Sequence, residues 1–140
     1  MAKPMSAKVQ WIDGLKFVAT SGSGHSVVLD GDGAKDAPSP MEMVLMAAAS
    51  CSSVDVVSIL QKAKQSVRTV EVLVDGQRAD ATPAVFTDIH LKFVVYGRDI
   101  APSHVERAVK LSADKYCSVS IMLSKSVNVT HSFEIVNEAG

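Results

Sequence analysis

The chain has 140 residues, of which 47% are hydrophobic and 21% are charged, and its formal net charge at pH 7 is -1. A chain of this length is the size of one domain and can bury roughly two-thirds of its surface. Acidic and basic residues nearly cancel, and no stretch concentrates Lys or Arg, so the composition argues against nucleic acid as a partner. We expect a single domain over residues 1–140.

The N-terminal part of the chain alternates apolar and polar residues in the manner of short strands. The run from Ala7 to Thr20 predicts a hairpin whose turn is Asp13-Gly14. A third short strand is expected from His25 to Leu29. The segment from Asp30 to Pro40 is rich in Gly, Asp and Pro, and it predicts a loop that leads into a helix.

One long apolar helix is predicted from about Pro40 to Lys64. Its segment Met43 to Leu60 approaches the roughly 20 residues that span a bilayer, but Asp55 and several serines argue against a membrane span. Apolar residues surround this helix on every side at positions 41 and 43–49, and a single sheet cannot cover a whole cylinder. We therefore expect a homodimer. No secretory signal is apparent at the start of the sequence, so the predicted location is the cytoplasm.

The second half of the chain predicts two more strands, a helix and a final strand. The strands run from Arg68 to Gln77 and from Val85 to Tyr96, and they are expected to pair antiparallel. A helix follows from Pro102 to about Tyr116, and a strand from Ser126 to Val136 closes the chain. The order βββα ββα β predicts an α+β fold with helices packed on antiparallel sheets.

The two cysteines, Cys51 in the long helix and Cys117 at the end of the second helical pattern, form no C-x-x-C motif. They are also too few for a structural zinc site, and the scattered histidines form no metal-binding pair, so neither a metal nor a cofactor is expected. Buried cysteines often serve as small hydrophobic residues. Alternatively, the two are a redox pair, in which one thiolate reacts and the second thiol captures its sulfenic acid.

Two other residues, Asp55 and Glu42, could modulate such a site. Asp55 lies four residues after Cys51, on the same helix face, where its charge would oppose thiolate formation; otherwise it is a paired interior acid. Glu42 lies in the first helical turn, where a carboxylate also favours the helix dipole. Tyr116, next to Cys117, is expected to pack in the core with its hydroxyl hydrogen-bonded.

Several segments together resemble one known family. They are the helix from Pro40 to Leu60 with its preceding Ala37-Pro-Ser-Pro loop, the stretch from Lys115 to Ser120, and the strand from Val129 to Ile135. The chain resembles the OsmC/Ohr family of osmotically inducible and organic hydroperoxide resistance proteins, and within it the YhfA-like branch. The resemblance covers nearly the whole length.

The resemblance implies an OsmC-like fold and an intertwined homodimer with two long central helices crossed between sheets. It also implies a peroxidase in which Cys51 is the peroxidatic residue that attacks an organic hydroperoxide, and Cys117 is the resolving residue. A small dithiol or a lipoylated protein would then restore both thiols. This activity would serve oxidative-stress defence.

The sequence departs from the family pattern at two positions. The glutamate that follows the helix-initiating proline is replaced by Met41, with Glu42 one residue later, and no arginine precedes Arg68. Lys8 and Lys16 are the alternative cations, but lysine lacks the bidentate fork of arginine. Three alternatives follow: a peroxidase of low or specialised activity, a non-catalytic dimer that binds a hydrophobic small molecule or senses redox state, or a purely structural protein.

Overall fold

The computed structural model describes residues 3–139 and divides the chain into two compact units, Met1–Val44 and Leu45–Gly140. The strands are β1 (Ala7–Asp13), β2 (Lys16–Ser21), β3 (Ser26–Asp30), β4 (Ser66–Arg78), β5 (Phe86–Arg98) and β6 (Asn128–Asn137). The helices are α1 (Pro40–Lys62), α2 (Pro102–Leu111) and α3 (Ser118–Leu123), with a π-helical turn at Ser112–Tyr116 between α2 and α3. The α+β fold class is confirmed, and a single domain remains a prediction.

The first unit contains the antiparallel sheet β1-β2-β3, which confirms the predicted hairpin and third strand. The turn between β1 and β2 requires Gly14, whose φ is +53°, a conformation that costs glycine little. The Trp11 indole N–H donates to the Gly14 carbonyl at 2.8 Å and ties the strand to the turn.

This first sheet leaves much of its apolar surface exposed. Six large apolar side chains are between 44% and 64% exposed, namely Val9, Trp11, Ile12, Leu15, Val27 and Val28. Successive residues of a strand point to opposite faces, so the neighbours Val27 and Val28 leave apolar surface on both faces of the sheet. A sheet of this kind needs cover from another apolar surface.

The second unit has a buried core around the central strand of the sheet β4-β5-β6. Alternate residues of β5 are 0–1% exposed, namely Ile89, Leu91, Phe93 and Val95. Strand β4 pairs antiparallel with β5, as predicted. Strand β6 instead pairs parallel with β5. The physical reason is the helical connection from β5 to β6, which returns the chain to the starting end of the sheet, as a parallel pair requires.

Helix α1 buries one stripe of residues four apart, namely Ala48, Ser52, Val56 and Leu60. It is long and apolar enough to cross a membrane by length and composition alone. Elsewhere on its surface, Met46 and Val54 are 48% and 68% exposed. The helix ends two residues before the predicted Lys64, because Lys64 adopts a left-handed conformation with φ of +57°.

The predicted second helix is interrupted. The α-helix α2 ends at Leu111, and the π-helical turn carries the chain to Cys117, whose extended backbone (φ -77°, ψ 100°) stops the helix. Cys117 is also the N-cap of the short helix α3, which the sequence analysis did not predict. The cysteine thus occupies a junction between helices, with its side chain buried.

Candidate active site

The fold brings the two cysteines together. Cys51 projects from α1 and is partly exposed, whereas Cys117 is buried at the start of α3, and both thiols are free. They lie close enough that each thiol shifts the pKa of the other. Ser52, the residue after Cys51, belongs to the buried stripe of α1, and Cys51 lies beside that stripe. Ser52 is therefore buried, whereas Cys51 is partly exposed.

Two serines surround the sulfur of Cys117. The Ser52 hydroxyl donates a hydrogen bond to Cys117 Sγ at 3.2 Å, and the Ser120 backbone N–H donates to it at 3.4 Å. The Ser120 hydroxyl lies 3.2 Å from the same sulfur and 3.2 Å from the Ser52 hydroxyl. Cys117, Ser52 and Ser120 are all fully or almost fully buried. They form a closed polar cluster, which we call the serine–thiol cluster.

The serine–thiol cluster favours the thiolate of Cys117. Burial by itself raises the pKa of this thiol, but the hydrogen bonds of the Ser120 and Ser52 side chains, of the Ser120 N–H and of the Cys51 thiol together outweigh burial. The net result is a lowered pKa for Cys117. Hydrogen bonds to a charged acceptor are stronger than those to a neutral one, which explains why a few donors overcome desolvation.

Cys51 has the opposite electrostatic environment. Burial is the largest cause that raises its pKa, and the neighbouring Cys117 and the charge of Asp55 raise it further. The backbone N–H of Val119, in the first turn of α3, lowers this pKa in part. The predicted opposition between Asp55 and the Cys51 thiolate thus has the expected sign. The more accessible cysteine is the one whose thiolate is less favoured.

Asp55 is also held by a hydrogen bond. Ser112, in the π-helical turn, donates from its hydroxyl to Asp55 Oδ2 at 3.0 Å, and this hydroxyl lies 3.4 Å from the carbonyl oxygen of Ser52. Ser112 is completely buried. The two sequence interpretations of Asp55 are therefore compatible, since a hydrogen-bonded interior acid is also an electrostatic neighbour of Cys51.

The chain is similar in sequence to proteins of one known family. The family model of OsmC-like proteins matches residues 31–132. The chain belongs to the OsmC family. It is 54% identical over 132 residues to protein YhfA of Escherichia coli strain K12, an alignment that covers 94% of this chain and 98% of that protein.

Two solved structures share the fold of this chain. A hypothetical protein from Aquifex aeolicus is 29% identical, with a TM-score of 0.89 and coverage of 99% of this chain and 100% of that chain. The organic hydroperoxide resistance protein OhrB of Bacillus subtilis is 14% identical, with a TM-score of 0.63 and coverage of 94% and 98% respectively. At that identity, the second likeness concerns the fold alone.

Glu42 and Lys16, two residues named where the sequence departs from the OsmC-family pattern, have local partners in the structure. Glu42 accepts a hydrogen bond from the Ser39 N–H at 2.9 Å, and the Ser39 hydroxyl accepts one from the Glu42 N–H at 3.1 Å. This reciprocal pair is a capping box for α1. Lys16 forms an ion pair with Asp36 at 3.0 Å, and Lys8 lies in an exposed part of β1.

The expected packing of Tyr116 in the core is wrong. The side chain is 50% exposed, and the ammonium group of Lys115 lies 5.9 Å from the centre of its ring. The exposure follows from the π-helical turn, which ends at Tyr116 and directs Cys117 inward. Among residues 3–139, no group of three His, Cys, Asp or Glu side chains is arranged to hold a metal ion.

Sequence patterns did not predict the serines of this OsmC-family site. Ser52, Ser112 and Ser120 were not singled out, although Ser120 follows Cys117 by three residues, the spacing at which a capping side chain meets a backbone N–H. Ser52 and Ser112 gave no comparable signal. Their role depends on the contact of α1 with α3 and the π-helical turn, which local spacing does not show.

Proposed function

We propose that this OsmC-family protein is a thiol-dependent peroxidase that reduces organic hydroperoxides in oxidative-stress defence, with Cys51 as the peroxidatic and Cys117 as the resolving residue. The observation that carries the proposal is the pair of adjacent free thiols, one partly exposed and one buried. The partly exposed thiol is open to a substrate, and the buried one is held beside it to capture the oxidised sulfur. Bacillus subtilis OhrB, which has the same fold, is described as an organic hydroperoxide resistance protein.

The reaction proceeds in two steps at the sulfurs. The Cys51 thiolate attacks one peroxide oxygen, the O–O bond breaks, and the alcohol leaves after taking up a proton, so that Cys51 becomes a sulfenic acid. The Cys117 thiolate then attacks the Cys51 sulfur and displaces hydroxide, which is released as water when it is protonated. The product is a disulfide. An external dithiol, either a small molecule or a lipoylated protein, reduces this disulfide by exchange.

The two steps make different demands on the two cysteines. The serine–thiol cluster supports the second step, because it favours the thiolate that must attack the sulfenic acid. In the first step, the Val119 N–H supports the Cys51 thiolate against burial and the charge of Asp55. Cys51 therefore limits the rate of peroxide attack at neutral pH, which suits a peroxidase of low or specialised activity.

The raised pKa of Cys51 favours a second candidate function. A thiol that ionises reluctantly reacts slowly, which fits a non-catalytic dimer that binds a hydrophobic small molecule, or one that senses redox state through a single oxidation rather than repeated turnover. The two candidates differ in stoichiometry. A peroxidase consumes many equivalents of hydroperoxide when a dithiol is present, whereas a sensor consumes about one.

The experiment that tests the proposal is consumption of cumene hydroperoxide in the presence of dihydrolipoamide. Wild type should turn over many equivalents, Cys51→Ser should lose turnover, and Cys117→Ser should become oxidised at Cys51 without forming the disulfide. Ser53→Ala is a matched control, because the Ser53 hydroxyl donates to the Ala49 carbonyl of the same helix at 2.7 Å. Turnover that survives in Cys51→Ser would exclude this mechanism.

We also propose that the protein acts as a homodimer in the cytoplasm, without inserting into a membrane. The apolar side chains on both faces of β1-β2-β3, and Met46 and Val54 on α1, supply the surface that a second copy would cover. Light scattering without detergent should give twice the mass of the 14.8 kDa chain. Val54→Lys should weaken the dimer and Glu106→Lys, on exposed α2 surface, should not. A monomeric mass for wild type at micromolar concentration would exclude the dimer.

A further inference from the structure

A second feature of the Leu45–Gly140 unit is an open cavity of about 500 Å³. It is bounded by the C-terminal half of α1, the last turn of α2 and the end of the π-helical turn. Its lining includes two cations, one carboxylate and three apolar or aromatic side chains, namely Lys62, Arg107, Asp55, Ile59, Leu111 and Tyr116. The volume lies within the roughly 300–1,000 Å³ that is typical of small-molecule sites.

The charged groups of this cavity are not balanced. Neither Lys62 nor Arg107 forms an ion pair with any residue in the described part of the chain, residues 3–139. The carboxylate of Asp55 accepts a hydrogen bond from Ser112 at 3.0 Å. Two cations against one carboxylate leave one net positive charge in the cavity. The electrostatics therefore complement a ligand with a single negative charge.

The other residues that line the cavity indicate that part of the ligand is apolar. Ile59 on α1 and Leu111 at the end of α2 present apolar side chains, and Tyr116 adds a half-exposed ring. A fully polar anion would leave these surfaces without favourable contacts, whereas an amphipathic one would cover them. The guanidinium of Arg107 also matches a planar carboxylate, which it binds through two parallel hydrogen bonds.

We propose that this cavity binds a small amphipathic monocarboxylate. Arg107 and Lys62 hold the carboxylate, and the apolar part of the ligand lies against Ile59 and Leu111. Asp55 limits the charge of the ligand, because a second carboxylate would face it. The cavity adjoins the cysteine pair, since Asp55 lies one helical turn after Cys51 and Tyr116 directly precedes Cys117. Binding uses neither thiol and does not depend on the proposed peroxidase activity.

Calorimetric titration of the full chain with octanoate tests this proposal. Octanol and octylamine are matched probes that keep the apolar chain and change only the head group. Octanoate should bind at least about tenfold more tightly than octanol, because a charge-assisted hydrogen bond contributes about that much. Octylamine should not bind measurably. Octanoate affinity should also fall as salt is added, since the cavity is open and its charges are screened.

Single substitutions test how much each charged residue of the cavity contributes to octanoate binding. Arg107→Gln should weaken octanoate binding about tenfold, Lys62→Gln should weaken it less, and Asp55→Asn should strengthen it by removing a repulsive charge. Lys125→Gln is the control for net charge, because Lys125 is exposed and lies outside the cavity. Cys51→Ser should bind octanoate like wild type, which separates this result from any failure of peroxidase activity.

Three results would overturn the proposal. The first is equal affinity for octanol and octanoate, which would describe an apolar surface without anion recognition. The second is an equal effect of Arg107→Gln and Lys125→Gln, which would reflect net charge alone. The third is no binding of octanoate at millimolar concentration by wild type. Circular dichroism of each variant distinguishes lost binding from lost folding.

Discussion

Cys51 and Cys117 are neighbours in one fold, yet their environments shift their acidity in opposite directions. Cys117 is the more deeply buried of the two, and burial alone would make its thiolate the less stable. It is nevertheless Cys117 whose pKa is lowered and Cys51 whose pKa is raised. The comparison teaches that the number of hydrogen-bond donors aimed at a sulfur, rather than its exposure, decides which thiol ionises first.

The groups that surround the two cysteines differ from those that the family resemblance leads one to expect. The family pattern directs attention to a cation and a glutamate beside the peroxidatic cysteine. In this chain the polar groups at the pair are serine hydroxyls and backbone N–H groups, and most of them face Cys117. The thiolate that these donors favour is therefore that of Cys117, to which the proposed mechanism assigns the attack on a sulfenic acid, and not that of Cys51.

Ser52→Ala should change the difference in pKa between the two cysteines more than any other substitution considered. It removes the hydroxyl that donates to Cys117 Sγ from α1 and leaves the donors of α3 in place. The pKa of Cys117 should rise, and its thiolate fraction at a fixed pH below that pKa should fall about tenfold, because a hydrogen bond to a charged group contributes about 1.5–3 kcal/mol. Ultraviolet absorbance of the thiolate in a Cys51→Ser background measures this.

The control for that experiment is the adjacent serine. Ser53 donates to the Ala49 carbonyl and not to a sulfur, so Ser53→Ala should leave the titration of Cys117 unchanged. If Ser52→Ala and Ser53→Ala titrate alike, the serine–thiol cluster does not set the acidity of Cys117.

A smaller effect is expected at Cys51 when its partner is replaced. In Cys117→Ser, the hydrogen bond and the charge of Cys117 no longer raise the pKa of Cys51, whereas burial still does. The pKa of Cys51 should fall, and its alkylation by iodoacetamide near neutral pH should become a few-fold faster. Serine at position 117 is also a good N-cap for α3, so the helix should persist. An alkylation rate equal to or below that of wild type Cys51 would contradict the coupling of the two thiols.

Asp55→Asn should change Cys51 less, because the charge of Asp55 is the weakest of the causes that raise its pKa. Asparagine keeps an oxygen that accepts the hydrogen bond from Ser112, so the local structure should be retained. Thiolate absorbance in the Cys117→Ser background should show a lower pKa for Cys51. An unchanged or raised value would mean that Asp55 has no electrostatic influence on this thiol.

How far the sequence predicts this molecule depends on the range of each interaction. Strands β1 to β5 and helix α1 follow from periodicity and turn residues such as Gly14, which act within a few positions. The interruption of the second helix does not, because Leu111 and Tyr116 fit a helical spacing while Cys117 has an extended backbone. The contact of Ser52 with Cys117 spans 65 positions. Such contacts arise from the packing of distant segments, so local sequence patterns do not predict them.

The smallest expected effect is on stability in alkaline solution. Above the ordinary thiol pKa of 9.0, the folded state with its raised Cys51 pKa holds more protons than the unfolded chain. Stability that depends on Cys51 is therefore lost as the pH rises through its folded pKa. For Cys117 the folded pKa is lowered, so just below 9.0 the unfolded chain holds more protons and stability increases with pH.

The two thiols thus contribute to alkaline stability with opposite signs. Urea unfolding under reducing conditions, from about pH 8 to about pH 10, spans the window around the ordinary thiol pKa. Across it Cys51→Ser should lose less stability than Cys117→Ser, because Cys51→Ser keeps the thiol with the lowered pKa and lacks the thiol whose pKa burial raises. Lysines and tyrosines titrate in both variants and cancel in the comparison. Equal pH profiles for the two variants would show that the environments of the two thiols do not differ in solution. That result would contradict the raised pKa of the partly exposed Cys51 and the lowered pKa of the buried Cys117.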